Sequence, residues 1–156
     1  MDITTPSDRE ICITRVFDAP RRLVFDAYTK PELLTRWMGV MPGWTFAVCE
    51  VDLRVGGTFR YLWRGPDGIE MGMRGTFLEV VPPRKIVIAE SFDEKWYEGN
   101  CVETVTLEEQ GGRTTLTMLL RYDNQAVRDG VLQSPATTGM EAGFANLAAL
   151  LTSLQR

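Results

Sequence analysis

Apolar and polar positions alternate through residues 10–17, EICITRVF, as they do in a strand with one buried face. The period then changes. Asp18-Ala19-Pro20 predicts a helix start, with Asp18 as the cap and Pro20 in the first turn, and Leu23, Val24, Ala27 and Tyr28 follow at helical spacing. Thr29-Lys30-Pro31-Glu32 has the capping-box pattern and predicts a second short helix that buries Leu33, Leu34 and Trp37 and stops near Gly39. Two short helices in tandem bury little by themselves and need a sheet to pack on.

A run of strands supplies that sheet. Residues 44–53 predict one strand, ending at Gly56-Gly57, and residues 58–64 the next, with Phe59, Tyr61 and Trp63 on one face and Arg60 and Arg64 on the other. Gly65-Pro66-Asp67-Gly68 is a strong turn. Residues 70–81 return, Pro82-Pro83 interrupts, 85–92 continue, and 101–109 with 113–122 predict a hairpin around Gln110-Gly111-Gly112. Connections this short make an antiparallel meander rather than βαβ units. Residues 124–132 predict a short helix. Ser134-Pro135 starts a long one, whose Met140, Phe144, Leu147, Leu151 and Leu154 fall on one stripe. Gly143, beside that stripe, is expected to let a strand approach closely. The class is α+β: a curved antiparallel sheet of about six or seven strands, two short helices after the first strand, and a long C-terminal helix to cover the apolar face.

Composition narrows the function more than the fold. The 156 residues suit one domain spanning 1–156, with a core at about 10–154. Net charge is −4 and no stretch concentrates Lys and Arg, which argues against nucleic acid. No apolar run reaches the roughly 20 residues of a membrane span, so membrane insertion is not expected. The N-terminus lacks the basic-then-apolar layout of a signal peptide. Cys12, Cys49 and Cys101 are scattered and odd in number, as for reduced thiols, and read as small apolar groups; a cytoplasmic location is expected. There is no histidine, which removes Ser-His and Cys-His nucleophiles and His-ligated metals, and no paired Cys spacing for zinc. No metal or cofactor is expected.

Four stretches, in this order, resemble a known family: Phe17-Asp18-Ala19-Pro20 with Val24-Phe25; Tyr28-Thr29-Lys30-Pro31-Glu32-Leu33 with Trp37; Asp52-Leu53-Arg54-Val55-Gly56-Gly57; and Gly65-Pro66-Asp67-Gly68 followed by Glu79-Val80-Val81-Pro82-Pro83. Gly139-Met140 and Gly143-Phe144 fit as well. The chain is similar, over about residues 10–154, to the START-like helix-grip superfamily (SRPBCC), in the branch of homologues of the activator of the heat-shock-protein-90 ATPase. The resemblance implies a deep cavity between sheet and long helix that holds hydrophobic molecules. It does not imply one reaction.

Strand parity proposes the lining of such a cavity. If the Gly65–Gly68 turn carries a glycine bulge, Met71, Met73 and Gly75 stand opposite Trp63, Tyr61 and Phe59; a plain four-residue loop would put Gly72 and Arg74 there. The first register makes the more apolar face. Phe77, Ile88, Phe92, Met118, Met140 and Phe144 extend the wall. On composition alone a filled core is the plainer reading, and the resemblance favours the cavity. Glu90 shares parity with Ile86, Ile88 and Phe92; pointing inward it would have a raised pKa, and on an exposed face it would be solvated. Tyr61 offers a hydroxyl to a ligand or to the core. Asp52 and Arg54 pair with each other or pin the Gly56-Gly57 turn, a structural role. Trp96 and Tyr97, in a polar segment, form a lid or contact surface, or fold back onto the domain.

The leading functional reading is binding of a small, largely apolar molecule, with Tyr61 and Glu90 orienting it. The second is a protein-interaction module docking on a chaperone through the sheet's outer face or the Trp96 segment. The third is a cyclase- or hydrolase-like enzyme using Glu90 or Tyr61 as acid or base; with no nucleophile–base pair in the sequence, no residue is assigned as catalytic. A homodimer is compatible with the sequence and not required by it.

Overall fold

The computed structural model describes residues 1–156. Eight strands form one antiparallel sheet: β1 (Asp2–Thr4), β2 (Glu10–Phe17), β3 (Thr45–Val51), β4 (Thr58–Arg64), β5 (Glu70–Val81), β6 (Lys85–Phe92), β7 (Cys101–Gln110) and β8 (Arg113–Tyr122). Their order across the sheet is β1-β2-β8-β7-β6-β5-β4-β3. Helices α1 (Arg21–Thr29) and α2 (Pro31–Leu34) lie between β2 and β3, and α3 (Gln125–Gln133) and α4 (Ala136–Leu154) follow β8. This is the α+β helix-grip arrangement. The strand count exceeds expectation by β1, three exposed edge residues with no apolar alternation to announce them.

Alternation decides which face is buried. Phe59, Tyr61 and Trp63 are buried on β4, while Arg60 and Arg64 point outward. The same inward parity gives Ile86 and Ile88 on β6, Val105 and Leu107 on β7, and Leu116, Met118 and Leu120 on β8. Bulges between Phe46 and Val48 and between Phe77 and Glu79 bend β3 and β5. At Gln110↔Arg113, Gly111 and Gly112 both take positive φ, as a two-residue hairpin turn requires. Met71, Met73 and Gly75 stand opposite Trp63, Tyr61 and Phe59, the more apolar of the two registers. The connection is five residues long, with Asp67 and Gly68 at positive φ.

The helix ends depart from the sequence reading. The cap of α1 is Pro20, not Asp18, whose side chain is exposed near Arg113. Asp18 lies too far before the first turn, and the Arg21 N–H donates instead to Glu109 Oε1 at 2.8 Å, a carboxylate supplied by β7. Thr29 is no capping-box residue either. It ends α1, and its hydroxyl donates to Phe25 O at 2.8 Å, while Lys30 caps α2 and Pro31 takes its first position. At α4 the Ser134 hydroxyl accepts the Ala136 N–H at 3.2 Å. Asn124 caps α3 by accepting the Val127 N–H at 3.0 Å.

The C-terminal half of α4 closes the core. Phe144, Leu147, Leu150 and Leu151 are buried, and the Phe144 ring meets Phe17 edge-on at 6.0 Å. Gln155 Nε2 donates to Asp18 O at 3.0 Å, tying the end of α4 to the start of α1. Gly143 makes no close strand approach: a Cβ built there meets nothing within 4 Å. The space beside it is empty.

Candidate functional site: a hollow with an acidic floor

Between the sheet and the first half of α4 lies a cavity of about 360 Å³, within the range that takes a drug-sized molecule. Three elements frame it. The first is the chain after α2, held by two hydrogen bonds: Trp63 Nε1 donates to Met38 O at 3.1 Å, and Asn146 Nδ2 on α4 donates to Val40 O at 3.3 Å. Gly39 at φ +68° completes this turn, and its Cα faces the Trp63 indole so closely that any side chain would collide with it. The second is α4, which presents Ala136, Gly139, Met140, Ala142 and Gly143.

The third is the segment 93–100, a flap across the mouth. Its first residue, Asp93, accepts two hydrogen bonds from Arg60 and two from Arg74, the shorter of the latter at 2.9 Å, all on the outer face of the sheet. These guanidinium groups hold the Asp93 carboxyl below its ordinary pKa. At the other end the Asn100 N–H donates to Asp123 Oδ2 at 3.1 Å. Between these anchors the aromatic rings interlock: Trp96 on Tyr97 at 4.8 Å, Phe92 on Trp96 at 5.7 Å and Tyr97 on Tyr122 at 5.4 Å. Trp96 stays 45% exposed and, with Val40, Met41 and Met71, forms an apolar rim.

Of the residues proposed from the sequence, Trp63, Met71, Met73, Glu90, Phe92, Trp96, Tyr97, Met118, Met140 and Phe144 line this cavity together. Phe59, Tyr61, Phe77 and Ile88 do not; with Met73 they surround a separate void of about 40 Å³ deeper in the core. The rings of Phe59 and Tyr61 pack at 4.9 Å and those of Phe59 and Phe77 at 5.6 Å, which fills that end. Asp52 and Arg54 pair at 2.9 Å on the surface. Cys12, Cys49 and Cys101 are free thiols, the last buried.

The floor is polar, and the sequence reading saw only half of it. Glu90 faces the cavity from β6, directly opposite Cys101. Glu103, on β7, lines it too and stands opposite Ile88, which makes it the diagonal neighbour of Glu90. Parity alone exposes Glu103, since it alternates inward with Cys101, Val105 and Leu107. Burial pushes Glu90 up to about 7, and the Cys101 thiol offsets part of the effect. Burial, reinforced by Glu90, raises Glu103 as well. Burial and then the two carboxylates raise Cys101, which keeps it a thiol and a poor nucleophile.

Tyrosines ring this floor. Tyr28 from α1, Tyr97 from the flap and Tyr122 from β8 all line the cavity. The hydroxyls of Tyr28 and Tyr97 are buried without a hydrogen-bond partner, a condition that ordinarily costs stability. Trp37 supports Tyr28 at 5.0 Å between ring centres, and its own Nε1 donates to Ala27 O at 2.8 Å. No group of three His, Cys, Asp or Glu side chains is placed to hold a metal ion. No helix is long and apolar enough to cross a membrane.

Residues 18–152 match the family model described as Activator of Hsp90 ATPase homolog 1-like protein. A crystal structure of a protein from Rhodobacter sphaeroides is similar over 99% of this chain and 100% of that one, with a TM-score of 0.90 and 29% identity. A protein from Staphylococcus epidermidis, solved by NMR, matches over 98% and 94% with a TM-score of 0.83 and 26% identity. An AHSA1-like protein from Aeromonas hydrophila shares the fold over 94% of each chain, with a TM-score of 0.73 and 20% identity. No curated protein matches the sequence. The chain belongs to the Activator of Hsp90 ATPase homolog 1-like family.

Proposed function

We propose that this member of the family binds a small, largely apolar molecule in the cavity between the sheet and α4. The observation that carries the reading is the hollow itself. Eighteen of the 24 residues around it are hydrophobic, yet they leave about 360 Å³ unfilled. Protein interiors ordinarily close such spaces, because a void forfeits dispersion contacts on every wall. Met71, Met73, Met118 and Met140 give walls that adapt to shape, and Trp63, Phe92 and Tyr97 give flat contact area.

A neutral, environment-sensitive naphthalene dye such as prodan tests the reading. Its emission is expected to shift to the blue and saturate at one dye per protein. Gly143→Met places a side chain in the open space beside α4 and is expected to abolish the shift without unfolding the protein. An unshifted spectrum with the native chain, or full binding by Gly143→Met, would refute occupancy of this cavity.

A second reading, docking on a chaperone, draws support from the family's description and from the apolar rim of Val40, Met41, Met71 and Trp96. Trp96→Ala is expected to weaken such an association at least tenfold. Unchanged recovery of the chaperone would remove the rim as its contact.

A further inference from the structure

The acidic floor is costly, and no positive charge in the protein compensates it. Glu90 and Glu103 lie diagonally across neighbouring strands, facing the same cavity. No Lys or Arg lines that cavity, and the chain has no histidine. Every ion pair in the molecule lies elsewhere, and neither Glu90 nor Glu103 takes part in one. Two buried acids without a counter-charge are far less stable than two amides or two apolar side chains of the same size. An ordinary core would not keep them.

A second observation points the same way. The Tyr28 hydroxyl, wholly buried and lining the same cavity, has no partner in the protein, and neither has that of Tyr97. A polar group on a ligand would supply the missing partner. A carboxylate or phosphate on the ligand would meet two acids and no cation, so the floor disfavours an anion. A protonated nitrogen meets what it needs: two carboxyl groups to neutralise it, hydroxyl oxygens to accept its N–H bonds, and aromatic side chains in the same lining.

We propose that the ligand is an apolar amine, with its ammonium group held between Glu90 and Glu103 and its hydrocarbon part against the aromatic and methionine walls. This rests on the cavity-binding reading and names the ligand class for the same site. The raised pKa values of the two acids fit a floor that holds a proton when empty and gives it up to an incoming cation.

Calorimetric titration at neutral pH with three matched probes tests it: 2-(2-naphthyl)ethylamine, 2-(2-naphthyl)ethanol and 2-naphthylacetic acid. The amine is expected to bind at least about tenfold more tightly than the alcohol, and the acid not to bind. Glu90→Gln and Glu103→Gln, which keep the side-chain shape, are each expected to bring the amine down to the level of the alcohol. A thermal melt of each variant, expected at or above the native midpoint, reports that it remains folded. Equal or tighter binding of the alcohol by the native protein would overturn the amine assignment and leave the cavity reading standing. So would an amine preference that survives both substitutions. If none of the three probes binds, the cavity reading falls and the amine with it.

Discussion

From Phe144 to Leu151 the last helix buries Phe144, Leu147, Leu150 and Leu151 against the core, whereas no residue from Ala136 to Gly143 is buried. Both halves cover the same sheet. The second half uses the large side chains that covering a sheet demands. The first half offers Ala136, Gly139, Ala142 and Gly143 to the cavity, with Met140 the one large residue among them. Each helical glycine costs about 1 kcal/mol relative to alanine, and a Cβ at 139 or 143 would meet nothing. The sheet shows the same division: Phe17 meets Phe144 in the packed half, and Glu90 and Glu103 line the hollow. The contrast separates residues that hold the fold from residues that hold a space open, and the two sets should respond to substitution with opposite signs.

The largest effect belongs to the packed half. Leu147 has no solvent exposure, so Leu147→Ala is expected to lower stability by about 2–5 kcal/mol. Denaturant unfolding at neutral pH measures this, and a loss below about 1 kcal/mol would show that the packed half is not the anchor.

The hollow half should answer in the other direction, and with a pH signature. Glu90 in the folded protein holds its proton up to about pH 7 against an ordinary value of 4.5. The groups facing it are Cys101 and Glu103 on β7, Tyr122 on β8, Tyr61 on β4 and Tyr97 on the flap; α4 presents no titratable group to it. Between these two pH values the native state binds the proton that the unfolded chain has released. Native stability therefore falls as pH rises through this window and levels off above it. Glu90→Gln does not titrate. It is expected to match the native protein near pH 4.5 and to exceed it at pH 8 by at most about 3 kcal/mol. Thermal melts across that range check it, and parallel curves for the two proteins would mean that Glu90 is solvated.

The same division governs what the sequence discloses. The strands from β4 to β8 were legible nearly to the residue, because inward and outward positions alternate and the turns carry Gly and Pro at positions that require them. The helix starts were legible only in outline. The α1 cap comes from Glu109, 88 residues away from Arg21, and a local pattern has no access to such a partner. A cavity is harder still, since a hollow and a core present the same apolar parity. Glycine at 143 read as a close approach when it marks an absence of neighbours. Glu103 was readable by parity, and Tyr28 as a helix residue near it was not, because their meeting depends on how α1 lies on the sheet.

Removing the space should stabilise the protein and weaken binding. Gly143→Ala is expected to raise stability by up to about 1 kcal/mol, since the helical backbone there tolerates a Cβ and nothing obstructs it. It should at the same time weaken prodan binding modestly, short of the abolition expected for Gly143→Met. A stability gain with unchanged binding would place the ligand away from this stretch of α4. A stability loss would mean that the helix is strained where the structure shows open space.

The smallest effect on stability, and the finest division of the hollow half, concerns the flap. Asp93 is exposed, and its ion pairs with Arg60 and Arg74 are screened by water, so Asp93→Asn is expected to leave the melting temperature almost unchanged. Its consequence is local. Arg60 and Arg74 stand directly opposite each other on β4 and β5, and Asp93 is the carboxylate between them. Without its charge the two guanidinium groups repel, and the start of the flap keeps only the Asp93 N–H to Gly72 O bond while Asp123 still holds the far end at Asn100. Acrylamide quenching of Trp96 should therefore increase, and amide exchange from Lys95 to Gly99 should accelerate, with β6 and β7 unaffected. Because the guanidinium groups keep the Asp93 carboxyl ionised below its ordinary range, acidification should reproduce the loosening only once the pH falls beneath that range. Loosening at a pH near the ordinary carboxylate value would mean that some other group holds the flap.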